Sequence, residues 1–130
     1  MSTGGRRQAS EVAGEKTQVA MAAQSPELEA EIHLGWTLYG RQDLEGALSA
    51  FERCKALGPD SVDAYYGLGI VLKAMDRRDE SARAFDQAAE LTRKTDSGSA
   101  RMQMLRRMAI AHASFVRTGE WSMEAEGQIR

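Results

Sequence analysis

Residues 28–61, LEAEIHLGWTLYGRQDLEGALSAFERCKALGPDS, run directly into residues 62–95, VDAYYGLGIVLKAMDRRDESARAFDQAAELTRKT, and the two stretches are copies of one pattern. At a step of 34 residues seven pairs are identical: Ala30/Ala64, Leu34/Leu68, Gly35/Gly69, Leu38/Leu72, Ala50/Ala84, Phe51/Phe85 and Leu57/Leu91. Chance matching at ordinary composition gives roughly two. Most other changes are mild, among them Leu28/Val62, Glu29/Asp63, Glu45/Asp79, Ala47/Ser81, Glu52/Asp86 and Cys54/Ala88. A fixed period of this length marks stacked helical hairpins, each unable to bury its apolar face alone. The expected fold is all-α: two clear helix-turn-helix units, 28–61 and 62–95, and a degenerate third unit over 99–130 that caps them.

Local signals agree with that reading. Ser25 is placed to cap a helix, Pro26 suits its first position and Glu27 its first turn. Leu28, Ile32, Leu34, Leu38 and Tyr39 recur at helical spacing. Gly40-Arg41-Gln42-Asp43 breaks the helix, and Asp43 can cap the next, whose inner face is Leu44, Ala47, Leu48, Phe51, Cys54 and Leu57. Gly58-Pro59-Asp60-Ser61 closes that helix and opens the second copy. Gly35 and Gly69 fall mid-helix, where glycine costs about 1 kcal/mol against alanine, so close approach of a partner helix is expected there. Leu34, Gly35 and Leu38 are expected to face the second helix, and Phe51 and Phe85 to fill the space between hairpins.

At these residues the chain resembles the tetratricopeptide repeat family. The family pattern W-x2-L-G-x2-Y…A-x3-F…P reads here as Glu31-x2-Leu34-Gly35-x2-Leu38…Ala47-x3-Phe51…Pro59, and again as Tyr65-x2-Leu68-Gly69-x2-Leu72…Ser81-x3-Phe85. Glu31 replaces the aromatic, Leu38 and Leu72 replace tyrosine, and Arg93 stands where the second proline would fall. The resemblance implies a right-handed superhelical stack whose first helices line a concave groove. A longer connector through Arg93–Ser99 places a partial third copy at Met108-x2-Ala111-His112-x2-Phe115, with Met104, Leu105, Met108, Ala111, His112 and Phe115 as its stripe.

The chain has 130 residues, 42% hydrophobic and 28% charged, with a formal net charge of −2. That is ordinary for a soluble domain and gives no overall attraction for nucleic acid. No run of eighteen apolar residues occurs, so no membrane span is expected. Residues 1–24 read as disordered or marginally helical, with Val12, Val19, Ala20 and Ala23 able to line a narrow stripe over 11–24. Glu11, Gly14, Glu15 and Lys16 interrupt what a signal peptide would need, and Ser2 stands where myristoylation needs glycine. Cys54 is the single cysteine, which suits a reducing cytoplasm.

Catalytic chemistry is not expected. His33 and His112 stand on different helices without cysteine or spaced carboxylate partners; they are expected to face solvent or a groove, and no metal and no cofactor is expected. Glu27, Glu29 and Glu31 sit at a helix start, where the dipole explains them. Cys54 fills a small-residue slot and is expected to be buried. Gly67-Leu68-Gly69 matches no phosphate-binding fingerprint. The chain is expected to be a non-catalytic protein–protein interaction module, an adaptor or assembly factor holding a peptide or helix. The alternative is a permanent structural subunit of a larger complex or homo-oligomer. In the resemblance, Ile32, Trp36, Tyr39, Tyr66, Ile70 and Lys73 point into the groove, with Arg106 adding charge at the rim. The places where some family members hold chaperone carboxylates fall on Ile32, Trp36 and Gly67, so no affinity for acidic chaperone tails is expected.

Overall fold

A computed structural model of the chain describes residues 25–94 and 99–121. The expectations for residues 1–24, the connector 95–98 and the tail 122–130 lie outside these. The described residues form five helices and no strand: α1 (Pro26–Gly40), α2 (Leu44–Leu57), α3 (Val62–Ala74), α4 (Arg78–Lys94) and α5 (Ala100–Thr118). Each helix packs on the next in sequence, and α1 also touches α3. This is the expected all-helical hairpin stack, two α–α pairs followed by a single helix.

Short-range chemistry sets the helix ends. The Ser25 hydroxyl accepts from the Leu28 amide at 3.1 Å, Asp43 from Gly46 at 2.9 Å, Ser61 from Ala64 at 3.1 Å and Ser99 from Met102 at 3.3 Å. Each satisfies an amide that the first helical turn would otherwise leave without an acceptor. Both hairpin turns hold one left-handed residue, Gln42 at φ 70° and Asp76 at φ 63°, one repeat apart. The first helix ends at Gly40, the turn follows at Arg41 and Gln42, and Asp43 caps the next helix, as expected.

The core is organised around two rings. Phe51 of α2 is fully buried and lies against Gly35 of α1 and Gly67 of α3. A Cβ on Gly35 would stand 2.7 Å from that ring, which is why the helix carries glycine there despite its cost. Phe85 of α4 is likewise fully buried and takes the same position against Gly69, 2.7 Å from where a Cβ would be. Around Phe51 gather Leu28, Ala47, Cys54, Ala64, Leu68 and Val71; around Phe85 gather Val62, Ala88, Leu91, Ala109 and Ala113. Burial pushes the Cys54 thiol up to about 11, with Glu31 adding to the shift, so it is a space-filling group rather than a thiolate.

Two expectations need correction. Leu34 does not fill the inner face: it is 37% exposed, whereas its copy Leu68 is 3% exposed. Leu68 is covered because α3 has α2 on its preceding side; no described helix precedes α1. The stripe of α5 is also different. Met104 and Phe115 are exposed, and Ala109, Ala111, His112, Ala113 and Val116 are buried. His112 stacks on Phe85, the role Gly67 plays for Phe51. The third unit therefore follows the second at a step of 45, and His112 matches Gly67 rather than Gly69.

Candidate functional site

The first helices of the hairpins lie side by side. Besides the α1–α3 contact, Arg101 at the start of α5 bonds Asp63 at the start of α3 at 2.9 Å. Near the far end of α3, Lys73 reaches His112. Helices α3 and α5 thus run in the same direction and share one face. Aromatic residues are concentrated on it in two clusters.

In the first cluster Trp36 meets the Phe51 ring edge-on at 5.1 Å and Tyr39 at 5.9 Å. Trp36 is 36% exposed, so one side of the indole belongs to the core and the other to solvent. Tyr39 and Ile32 are partly buried against the core around Phe51. The second cluster is larger. Tyr66 stands edge-on to both Phe85 at 5.6 Å and His112 at 5.8 Å. His112 stacks on Phe85 at 4.7 Å, and Trp121 meets the imidazole edge-on at the same separation and Phe115 at 6.3 Å. Ile70 packs beneath, against the core around Phe85.

Lys73 completes this cluster. Its ammonium lies 5.2 Å from the centroid of Phe115 and 3.2 Å from His112 Nδ1. An ammonium has only donors, so Nδ1 accepts and the imidazole is neutral with its proton on Nε2. Burial, then the charge of Lys73, pull His112 down to about 4. Burial also lowers Lys73 and raises the Tyr66 phenol. Among the described residues Lys73 makes no ion pair. A half-buried cation over an aromatic ring, with no carboxylate of its own, is a ready partner for an external anion in a partly desolvated setting.

The expected residues fall into separate groups. Trp36, Tyr39 and Ile32 gather at Phe51; Tyr66, Ile70 and Lys73 gather at Phe85. Arg106 belongs to neither: it lies six residues before His112 on α5, about 9 Å along the axis from the level of Lys73. It is half-buried. Sequence reasoning missed that His112, Phe115 and Trp121 complete the second cluster. Their spacing at the end of α5 was the available signal, but the repeat register had to be right to use it. His112, expected at a surface, is 8% exposed and part of the core.

Among the described residues no three His, Cys, Asp or Glu side chains gather as a metal site, and no helix is long and apolar enough to cross a membrane. The chain matches no known protein-family model, no curated protein and no solved structure.

Proposed function

We propose that this chain is a non-catalytic interaction module of tetratricopeptide-like architecture, an adaptor or assembly factor acting in the cytoplasm. It holds a partner protein's peptide or helix on the face built by its first helices. The observation that carries this reading is Lys73, an ammonium set among Phe115, His112 and Tyr66 without a carboxylate partner among the described residues. The preferred ligand is an apolar segment flanked by an acidic residue. The acid meets Lys73, and the apolar part meets the open side of Trp36 or the Phe115–Trp121 edge, rigid groups of the kind that anchor interfaces.

A random-peptide display selection against the full chain tests it. Enriched peptides should pair aromatic or aliphatic residues with Asp or Glu, and Lys73→Glu should turn the preference to Lys or Arg. Trp36→Ala should weaken the selected peptides by about 2 kcal/mol, roughly thirtyfold. No enrichment, or enrichment indifferent to both substitutions, overturns the reading. A permanent subunit is the second reading, favoured by the apolar exposure of Met104, Phe115 and Trp121 at the end of the stack. A stable oligomer in size-exclusion chromatography at low micromolar concentration would select it.

A further inference from the structure

The charges of the stack are sorted between its two ends. Contacts run in order from α1 to α5, so these two are the terminal helices among the described residues. Helix α1 carries three carboxylates, Glu27, Glu29 and Glu31, and no lysine or arginine. Helix α5 carries four arginines, Arg101, Arg106, Arg107 and Arg117, and no aspartate or glutamate. Each of the three helices between them holds as many cations as carboxylates. Exposed apolar side chains are sorted the same way. Among the described residues the large ones most exposed are Leu34, Trp36 and Leu57 at the first end, and Met104, Phe115 and Trp121 at the last. Helices α3 and α4 contribute none of them.

We propose that a second copy of the chain joins these ends, the α5 end of one molecule docking on the α1 end of the next. On α1, Glu27, Ala30 and Leu34 follow one another at spacings of three and four, which places them on one side of the helix, and all are exposed. Beside them opens a cleft of about 460 Å³ lined by Glu27, Ala30, Glu31, Arg53, Ala56 and Leu57. Leu57 is 48% exposed there. Arg53 already bonds Glu31 at 3.1 Å, whereas Glu27 makes no ion pair among the described residues.

On α5, Met104 is 51% exposed. Arg107 lies one turn further on, exposed and without an ion pair among the described residues. Methionine is unbranched and polarisable, suited to an irregular apolar gap, and Ala30, Ala56 and Leu57 offer one. Arg107 then has Glu27 to meet. Both residue types are enriched where proteins meet. Charge also sets the direction: α1 against α1, or α5 against α5, brings like charges together, and only α5 on α1 brings opposite ones. Such a contact joins unlike surfaces, leaves a free end on each assembly and lets it lengthen. The inference rests on the homo-oligomer form of the second reading and gives it a contact. Lys73 takes no part, so the peptide-binding reading stands or falls separately.

The test is sedimentation of the full chain from about 1 μM to about 1 mM, the affinity range of a small contact. Wild type should gain mass with concentration and pass beyond a dimer. Leu34→Glu and Met104→Glu should each stay monomeric alone. An equimolar mixture of the two should form a dimer that grows no further, because each variant keeps the end that the other has lost. Arg107→Glu should weaken assembly at least about tenfold, and Glu27→Arg in the same chain should restore it. That exchange changes only exposed charges, so it answers the question even if an apolar variant does not fold. A wild type that stays monomeric throughout overturns the proposal and the homo-oligomer reading together. Oligomers that stop at a dimer, that survive both apolar substitutions, or that ignore Arg107→Glu overturn the proposed contact and leave that reading standing.

Discussion

The two phenylalanines occupy equivalent positions but meet different neighbours. Phe51 is held between glycines on both sides, Gly35 and Gly67, with Trp36 at its edge. Phe85 has a glycine, Gly69, on one side only; on the other it stacks on His112, with Tyr66 at its edge. The first arrangement is wholly apolar and depends on backbones coming close. The second admits a titratable ring, which is compatible with burial only while it is neutral. A shared fold position therefore gives the two hairpins different sensitivities: the first to added volume, the second to added protons.

The widest test removes the rings. Phe51→Ala and Phe85→Ala should each lose about 3–5 kcal/mol, the usual cost of deleting a buried aromatic, read by urea denaturation. A loss below about 1 kcal/mol at either would remove that ring from the centre of its hairpin. Acid should then separate the two. The unfolded imidazole takes up its proton near 6.5, the folded one only near 4. Between those values the unfolded chain binds the extra proton, so the contribution is complete above about pH 6.5 and is lost as pH falls toward 4. The groups facing His112 are Lys73 and Tyr66 of α3, Phe85 of α4 and Trp121. Wild type should lose about 2–3 kcal/mol across that window through this group, and His112→Leu should lose less by that amount. Parallel profiles would show that the imidazole is not held neutral.

Smaller substitutions sharpen the contrast. Gly67→Ala places a Cβ against the Phe51 ring, which Gly35 confines from its other side. Overpacking of about 1–3 kcal/mol should outweigh the gain of about 1 kcal/mol in helix propensity, lowering the thermal midpoint. A rise would mean that the ring can move aside. Last comes Ser81, whose buried hydroxyl donates to the Gly69 carbonyl at 2.8 Å, where the first hairpin has Ala47. Ser81→Ala makes the second hairpin resemble the first and should cost only about 0.5–1.5 kcal/mol.

Much of the fold was legible because the signals that set it are local. Ser25 and Asp43 cap helices by bonding amides three residues on, and the glycine at 35 implied a close approach of the partner helix, which the structure shows to be made by its Phe51 ring. The site was legible only in part. Tyr66 and Lys73 do share a face, but their common neighbour His112 follows Gly67 by 45 residues, and a fixed step of 34 falls short of it, at Arg101. In the sequence Gly67 stands out as part of a Gly-Leu-Gly string and as a place where some family members hold carboxylates, neither of which concerns packing. Its use depends on a ring from the previous hairpin, which no pattern within its own helix reveals. Leu34 was misplaced for a related reason: the periodicity that marks a residue as apolar says nothing about whether a neighbouring helix is there to cover it.

The order of packing along the stack has a kinetic consequence. Among the described residues each helix finds its main partner in one adjacent along the chain, α1 reaches no further than α3, and the Lys73–His112 bond spans 39 residues. Few contacts therefore require a large loop to close before they form. Chains of such low contact order fold in microseconds to milliseconds, and either hairpin can nucleate the other. On a ribosome, the first pair of helices can assemble as soon as it emerges, and each later helix finds its docking surface already formed.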